Sequence, residues 1–416
     1  MIQIQNRIMK LPIIQGGMGV GISLSSLAGH VAKCGAMGVI SAAHPGYNYE
    51  GFRKNPVAIN CQAIKDHIQR AKEIAKGNGL IGVNIMVASR DYEKFVKASV
   101  DGGCDAIISG AGLPLDLPKW AKGKTLLAPI VSSGKAARLI ARVWDKRYQY
   151  TPDFVVIEGS EAGGHLGFKK DDLLAHTCQK LSDILADVKK ELKVWEDKYK
   201  KTIPVFVAGG IDSGKKIAEF IKLGATGVQI ATPFIATYEC DAAQEFKDMV
   251  IQCRQEDIEL VSSPAGLPGR AIVNDFVKKT RETGNICMKN CLHCMIPCNP
   301  ENTPYCISEA LIQSVKGNVQ NGLVFVGSQA ARIHEMKHVE EVIQEYKESG
   351  KDLFISGGAS IYKQSLPYVD QLLISRIKGT HDGETYFPDF DGYGFVLKEV
   401  KPFETFDLEI YQRGAQ

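Results

Sequence analysis

His165 is the one imidazole in the run EGSEAGGHLG, residues 158–167, which holds four glycines and directly follows the apolar stretch FVVIE. Glycines at this density let backbone amides come close to a flat or anionic group, and the imidazole is a titratable group fixed beside them. Two further glycine runs carry related chemistry. VAGGIDSGKKIAEF, residues 207–220, reads as strand, turn and helix start. Gly209 and Gly210 permit close approach there, and the following helix offers free amides at its positive dipole end. GVQIATPF, residues 227–234, closes a strand with small residues and Thr232, a hydroxyl donor. Together these two segments suit a phosphate, with tight helix–strand turns as the plainer alternative. They are not a P-loop, because no GxxxxGK[ST] occurs.

GGMGVG, residues 16–21, follows a strand, but no acidic residue ends the next strand as a dinucleotide fingerprint requires. We take it as a backbone platform for a planar ring. Asn84, in LIGVNIM, brings to a strand end an amide that both donates and accepts. That fits the edge of a pyrimidine-like ring, and equally a bond to neighbouring backbone.

These residues need a scaffold that aims several strand ends at one place. Val- and Ile-rich runs at 12–15, 37–41, 80–86, 105–109, 125–131, 154–158, 204–209 and 227–231 alternate with helix-like stretches, among them a long charged one over 172–201. Buried apolar strands with helices between them indicate a parallel sheet covered by helices. Eight such units predict an α/β fold, a (β/α)8 TIM barrel, with a doubly wound open sheet as the alternative. In a barrel the three glycine runs converge on the rim at the strands' C-terminal ends, where active sites are built.

The chain's 416 residues exceed what one core usually fills. We expect a barrel domain over 1–345, including a helical, cysteine-rich extension over 241–345, and a small strand-rich module over 346–416. Net charge is +3, with no basic cluster interleaved with aromatics, so neither nucleic acid nor an anionic membrane is an expected partner. No apolar stretch is long enough for a signal peptide or a membrane span, so a cytoplasmic location is expected, with the eleven cysteines as reduced thiols. An oligomer is compatible with the sequence, which does not specify one.

Taken in order, LPIIQGGMGVGIS, GVNIM, EGSEAGGHLG, VFVAGGIDSG and GVQIATPF resemble the FMN-dependent nitronate monooxygenases, a family close to the flavin enoyl-acyl-carrier-protein reductases. The resemblance covers about residues 1–345, and AGGH is its most specific element. It implies FMN as cofactor and a small-molecule substrate. Gly17 and Met18 would back the flavin ring, Asn84 would bond its pyrimidine edge, and Glu158 and Gly163 would flank it. Gly209, Gly210 and the run Gln229, Ile230, Ala231 and Thr232 would hold the phosphate. His165 matches the catalytic histidine, and Lys135, in SSGKAARL, is a further residue expected to reach the flavin. Glu158 stands where many nitronate monooxygenases have Gln, Ala231 replaces a frequent Gly, and Pro233 stands where Arg is common.

The resemblance implies oxidation of alkyl nitronates with O2. The alternatives are NADH-dependent reduction of an enoyl thioester, and a flavin-binding module without turnover. His165 would act as base toward a neutral nitroalkane, or as a cation toward a nitronate or thioester carbonyl.

CMKNCLHCMIPCNPENTPYC places Cys287, Cys291, Cys294, Cys298 and Cys306 around His293. It does not make two clean CxxC pairs, so we expect buried thiols and no metal, with zinc or an iron–sulfur cluster as the other reading. Residues 339–390, continuing to LEIYQR, resemble the C-terminal part of dihydrofolate reductase, with GGASIY as the specific element. That likeness implies NADPH pyrophosphate at Gly357 and Gly358 and nicotinamide near Tyr362. The family's N-terminal portion, with its pterin-binding acid and a central strand, is absent, so no folate reduction is expected from this chain alone.

Overall fold

The computed structural model describes residues 2–284, 286, 291–348, 359–367, 369–381, 383 and 385–414. The chain divides into two compact units, Met1–Gly350 and Lys351–Gln416.

The first unit opens with a hairpin of β1 (Ile2–Ile4) and β2 (Arg7–Met9). Then come β3 (Ile13–Gln15), β4 (Met37–Ser41), β5 (Leu80–Met86), β6 (Ala106–Gly110), β7 (Leu126–Val131) and β8 (Val155–Glu158). A two-residue strand, β9 (Gly164–His165), separates these from β10 (Val205–Ala208) and β11 (Gly227–Ile230). Strands β3–β8, β10 and β11 pair in parallel and close into an eight-stranded barrel, so the fold is the α/β TIM barrel. Each barrel strand lies within the run expected for it or within one residue of it.

Side chains alternate along each strand. Met37, Val39, Ala106, Ile108, Leu126, Ala128, Val156 and Phe206 fill the interior, where Phe154 and Phe206 meet edge to face at 5.7 Å. Ile4 and Met9 of the hairpin join that core. The outward residues Ile40, Ile81, Val83, Ile107, Leu127, Ile157 and Val207 pack with the helices. β3 and β4 share one register pair, Ile14 with Met37. There the buried Gln15 amide substitutes for the ladder: its Oε1 accepts from Val39 N at 3.0 Å, and its Nε2 donates to the Gly16 and Val39 carbonyls.

The charged helix expected over 172–201 is two, Lys170–Leu174 and Leu181–Tyr199, interrupted where His176 has φ +53°. Extension strands β12 (Ile258–Ser262) and β13 (Pro268–Ile272) pair antiparallel, and β13 also pairs with β9. Helices Asp275–Thr283, Ile307–Val315 and Val339–Glu348 complete the unit.

The second unit is an antiparallel sheet in the order β14 (Gln371–Ile377), β16 (Phe406–Arg413), β15 (Phe395–Pro402). Arg413 ties it together: its guanidinium lies 4.6 Å from the Phe395 ring and donates to the carbonyls of Leu366, Val369 and Tyr393. The strand expected at LFISGG, with Gly357 and Gly358, lies outside the described residues. Among the described residues, no helix is long and apolar enough to cross a membrane.

Candidate active site

Alternation along the strands decides which side chains reach the barrel's open rim. Glu158 continues the inward series of Val156 on β8, Asn84 that of Leu80 on β5, and Gln229 falls opposite the outward Val228 on β11. All three line a cavity of about 1010 Å³ at this end. Gly17, Met18, Gly163, His165, Gly209, Gly210, Ile230, Ala231 and Thr232 line it too. Twelve residues expected from five separate segments therefore share one space. Lys135 does not: it is exposed on the first turn of the helix Gly134–Tyr148, and its neighbours Ser132 and Ala136 line the cavity instead. A helix turns adjacent side chains about 100° apart, and Lys135 falls on the solvent side.

The glycine platform is built by exclusion. A Cβ on Gly17 would lie 2.4 Å from Asn84 Cβ, so the first glycine run and the end of β5 touch only because that position is bare. On the same rim, after β10, Gly209 and Gly210 have φ of +101° and +71°, a left-handed turn that L side chains resist. Ser213 caps the next helix, Gly214–Lys222, accepting from Lys216 N at 3.4 Å, and Lys216 Nζ donates to the Gly210 carbonyl at 2.7 Å. Thr232 Oγ1 accepts from Gly327 N at 3.0 Å and keeps its own hydrogen to donate. Main-chain amides, a helix N-terminus and a hydroxyl thus gather at Gly210, Ser213 and Thr232, a donor set suited to phosphate.

His165 is held differently from the loop residue anticipated. β9 makes it the third strand of the extension sheet, paired with Gly269, and Leu166 N donates to the Pro268 carbonyl at 2.8 Å. Its Nε2 lies 2.6 Å from Ser263 Oγ, which also accepts from Ala265 N at 3.2 Å, and its ring meets Phe325 edge to face at 5.1 Å. Among the described residues Nδ1 has no hydrogen-bond partner. Burial alone pulls the imidazole down to about 4, so it is neutral at ordinary pH. Burial alone likewise pushes the Glu158 carboxyl up to about 8.

Ser263, Phe325 and Arg270 were not anticipated. Arg270 anchors the glycine loop, donating to the Ser160 carbonyl at 2.9 Å and to that of Ala162. The sequence signal for Ser263 and Arg270 is SSPAGLPGRAI, and nothing in it tells that β13 returns to pair with residues 104 to 106 positions earlier. Among the described residues no three of His, Cys, Asp and Glu converge as a metal-ligand set, and Cys287 lies outside them.

Residues 3–348 match the family model of nitronate monooxygenase. The chain belongs to the nitronate monooxygenase family. A probable nitronate monooxygenase of Staphylococcus saprophyticus is 24% identical over 294 residues, covering 66% of this chain and 78% of that one. One from Staphylococcus aureus is 25% identical over 303 residues, covering 64% and 77%. Among solved structures, FabK from Thermotoga maritima superposes with TM-score 0.61 at 24% identity, over 82% of this chain and 92% of its own. A nitroalkane oxidase from Streptomyces ansochromogenes gives TM-score 0.62 at 20% identity, over 82% and 95%. At these identities the structural likeness shows the fold. The dihydrofolate reductase model matches residues 324–412. Residues 324–348 fall within both matches, and they pack in the barrel unit: Val324, Val326, Val339 and Ile343 are buried in its main core. As a nitronate monooxygenase family member, the chain is an oxidoreductase.

Proposed function

We propose that the protein is an FMN-dependent nitronate monooxygenase that oxidises alkyl nitronates with O2 in the cytoplasm. The observation that carries this reading is the sharing of one cavity by three things: a bare glycine platform, a main-chain donor set for phosphate, and a neutral imidazole. The residues fit FMN. Gly17 and Met18 would back its ring, and Asn84, Glu158 and Gly163 would meet its edges. Gly209, Gly210 and Gln229 to Thr232 would hold its phosphate. When bound, FMN supplies the electron acceptor and the route to O2.

The chain's own groups bind, orient and move a proton. Ser263 engages Nε2 of His165, which leaves Nδ1 for the substrate carbon. A neutral Nδ1 is a base, able to take the proton from the carbon next to a nitro group and so generate a nitronate in place. Phe325 fixes the ring's tilt. Enoyl thioester reduction is the second reading, favoured by the acidic residue at 158.

One experiment separates them. Flavin-loaded protein is mixed with an alkyl nitronate while O2 is followed, then with NADH and an enoyl thioester. O2 uptake with nitronate alone is expected. NADH loss that depends on the thioester would move the protein to the second reading, and silence in both would make it a flavin carrier.

A further inference from the structure

The cavity has a second polar station, away from His165 in both chain and fold. His44 follows β4 and carries φ +49°; its ring meets Phe52 edge to face at 5.6 Å. Its Nδ1 lies 3.2 Å from Asn60 Nδ2, and its Nε2 lies 2.8 Å from Ser308 Oγ, on the helix Ile307–Val315. Ser308 Oγ lies in turn 2.9 Å from Cys294 Sγ. His44, Asn60, Ser308 and Cys294 all line the cavity, and the surfaces around them are the apolar side chains of Leu292, Met295, Ile307 and Leu311.

The protons in this relay can be placed. Asn60 Oδ1 accepts from Gly46 N at 3.1 Å, so the Asn60 NH2 faces His44 and donates to Nδ1. The neutral ring then carries its hydrogen on Nε2 and donates it to Ser308. Burial keeps the ring in that form, pulling it down to about 4, and the nearby Arg53 guanidinium adds to the effect. Ser308 oxygen, already accepting from His44, keeps its own hydrogen to give. Its remaining neighbour is a thiol, a weak partner that an oxygen acceptor displaces. The station holds no net positive charge, since Arg53 is bound to Glu309 at 2.5 Å. A carboxylate here would lose hydration without a counter-charge.

We propose that Ser308, oriented by His44 and Asn60, is a hydrogen-bond donor that recognises a neutral oxygen acceptor on the substrate's tail. Ser308 would touch substrate, and His44 and Asn60 are positioning residues. The preferred substrate is then a nitronate whose aliphatic chain bears an ether, hydroxyl or carbonyl oxygen. The identity of the reacting head rests on the nitronate reading; the donor does not.

The test compares hexyl nitronate with ethers of the same length, the oxygen placed in turn at each carbon from the third outward. Dissociation constants of the corresponding neutral nitro compounds are measured by calorimetry on flavin-loaded protein, and turnover is measured by O2 uptake. One ether is expected to bind roughly tenfold tighter than the hydrocarbon. Ser308→Ala should erase that ratio, His44→Leu should erode it, and His44→Gln should keep it, because the Gln amide accepts from Asn60 and donates to Ser308. Where Ser308→Ala does not load flavin, Ser308→Cys reads the same ratio with a weaker donor. Absence of any ether preference in the wild type, or an equal change for both ligands in the variants, overturns the proposal. A preference in binding without turnover of any nitronate would overturn the nitronate reading and leave the donor standing.

Discussion

At the scale of residues, burial sets two protonation states that a sequence reading assigns differently. With His165 pulled down to about 4, the acid limb of kcat/KM is expected near that value and not near 6.5. Replacing His165 with Ala or Asn should leave flavin bound and slow turnover of a neutral nitroalkane by roughly 10²–10⁴, read by O2 uptake at saturating nitroalkane. Glu158 carries the opposite shift. As a neutral acid it offers one O–H donor and one carbonyl acceptor, the pattern of a Gln side chain. Between about 4.5 and about 8 the unfolded chain releases this proton while the folded protein keeps it. Its contribution to stability is therefore present below that window and lost as pH rises through it. Glu158→Gln should bind FMN like the wild type at pH 7. Its advantage in melting temperature should grow by roughly 2–4 °C from pH 5 to pH 8. An unchanged difference across that range would mean that Glu158 ionises normally in the fold.

At the scale of elements, what binds the site together is contact between segments distant in sequence. Gly163 shows it: a Cβ there would lie 2.6 Å from Gly327 N and from the Val326 carbonyl carbon, both backbone atoms that cannot swing aside. Gly163→Ala should push the AGGH loop off the 324–328 segment, lowering turnover at least tenfold while His165 itself is intact. A variant as active as the wild type would show that the two segments separate without cost. The same contrast explains what was legible. The barrel strands announce themselves because Val and Ile runs such as MGVIS and LIGVNIM meet the helices on one side and the barrel core on the other, a local pattern. The glycine runs announce the rim because close approach has few substitutes. β9 spans two residues with no strand pattern, and it exists only because β13 returns to it. Ser263, Phe325 and the pair His44 and Ser308 are ordinary residues in sequence, brought into the site by partners 98 to 264 positions away.

At the scale of the whole molecule, two family matches overlap on residues 324–348, and packing decides which unit holds them. Val324, Val326, Ala330, Val339, Val342 and Ile343 are each at most 4% exposed within the barrel unit, and Phe325 touches His165. Six such side chains contribute about 1.5–3 kcal/mol each where large and aliphatic, well beyond what a barrel can lose and remain folded. Among the described residues, those lining the cavity lie between Gly16 and Tyr346. A chain ending at residue 350 is therefore expected to bind FMN and to oxidise nitronates within about twofold of the full chain, whereas one ending at 323 should be insoluble or colourless. The C-terminal sheet presents Leu373, Ile377 and Val396 at 48%, 65% and 50% exposure within the described structure. Its removal should raise solubility or leave it unchanged if that face is idle. Flavin content, O2 uptake and solubility of the two truncations decide the matter. Loss of turnover on cutting at 350 would give the dihydrofolate-reductase-like unit a part in the chemistry that the cavity's lining does not assign to it.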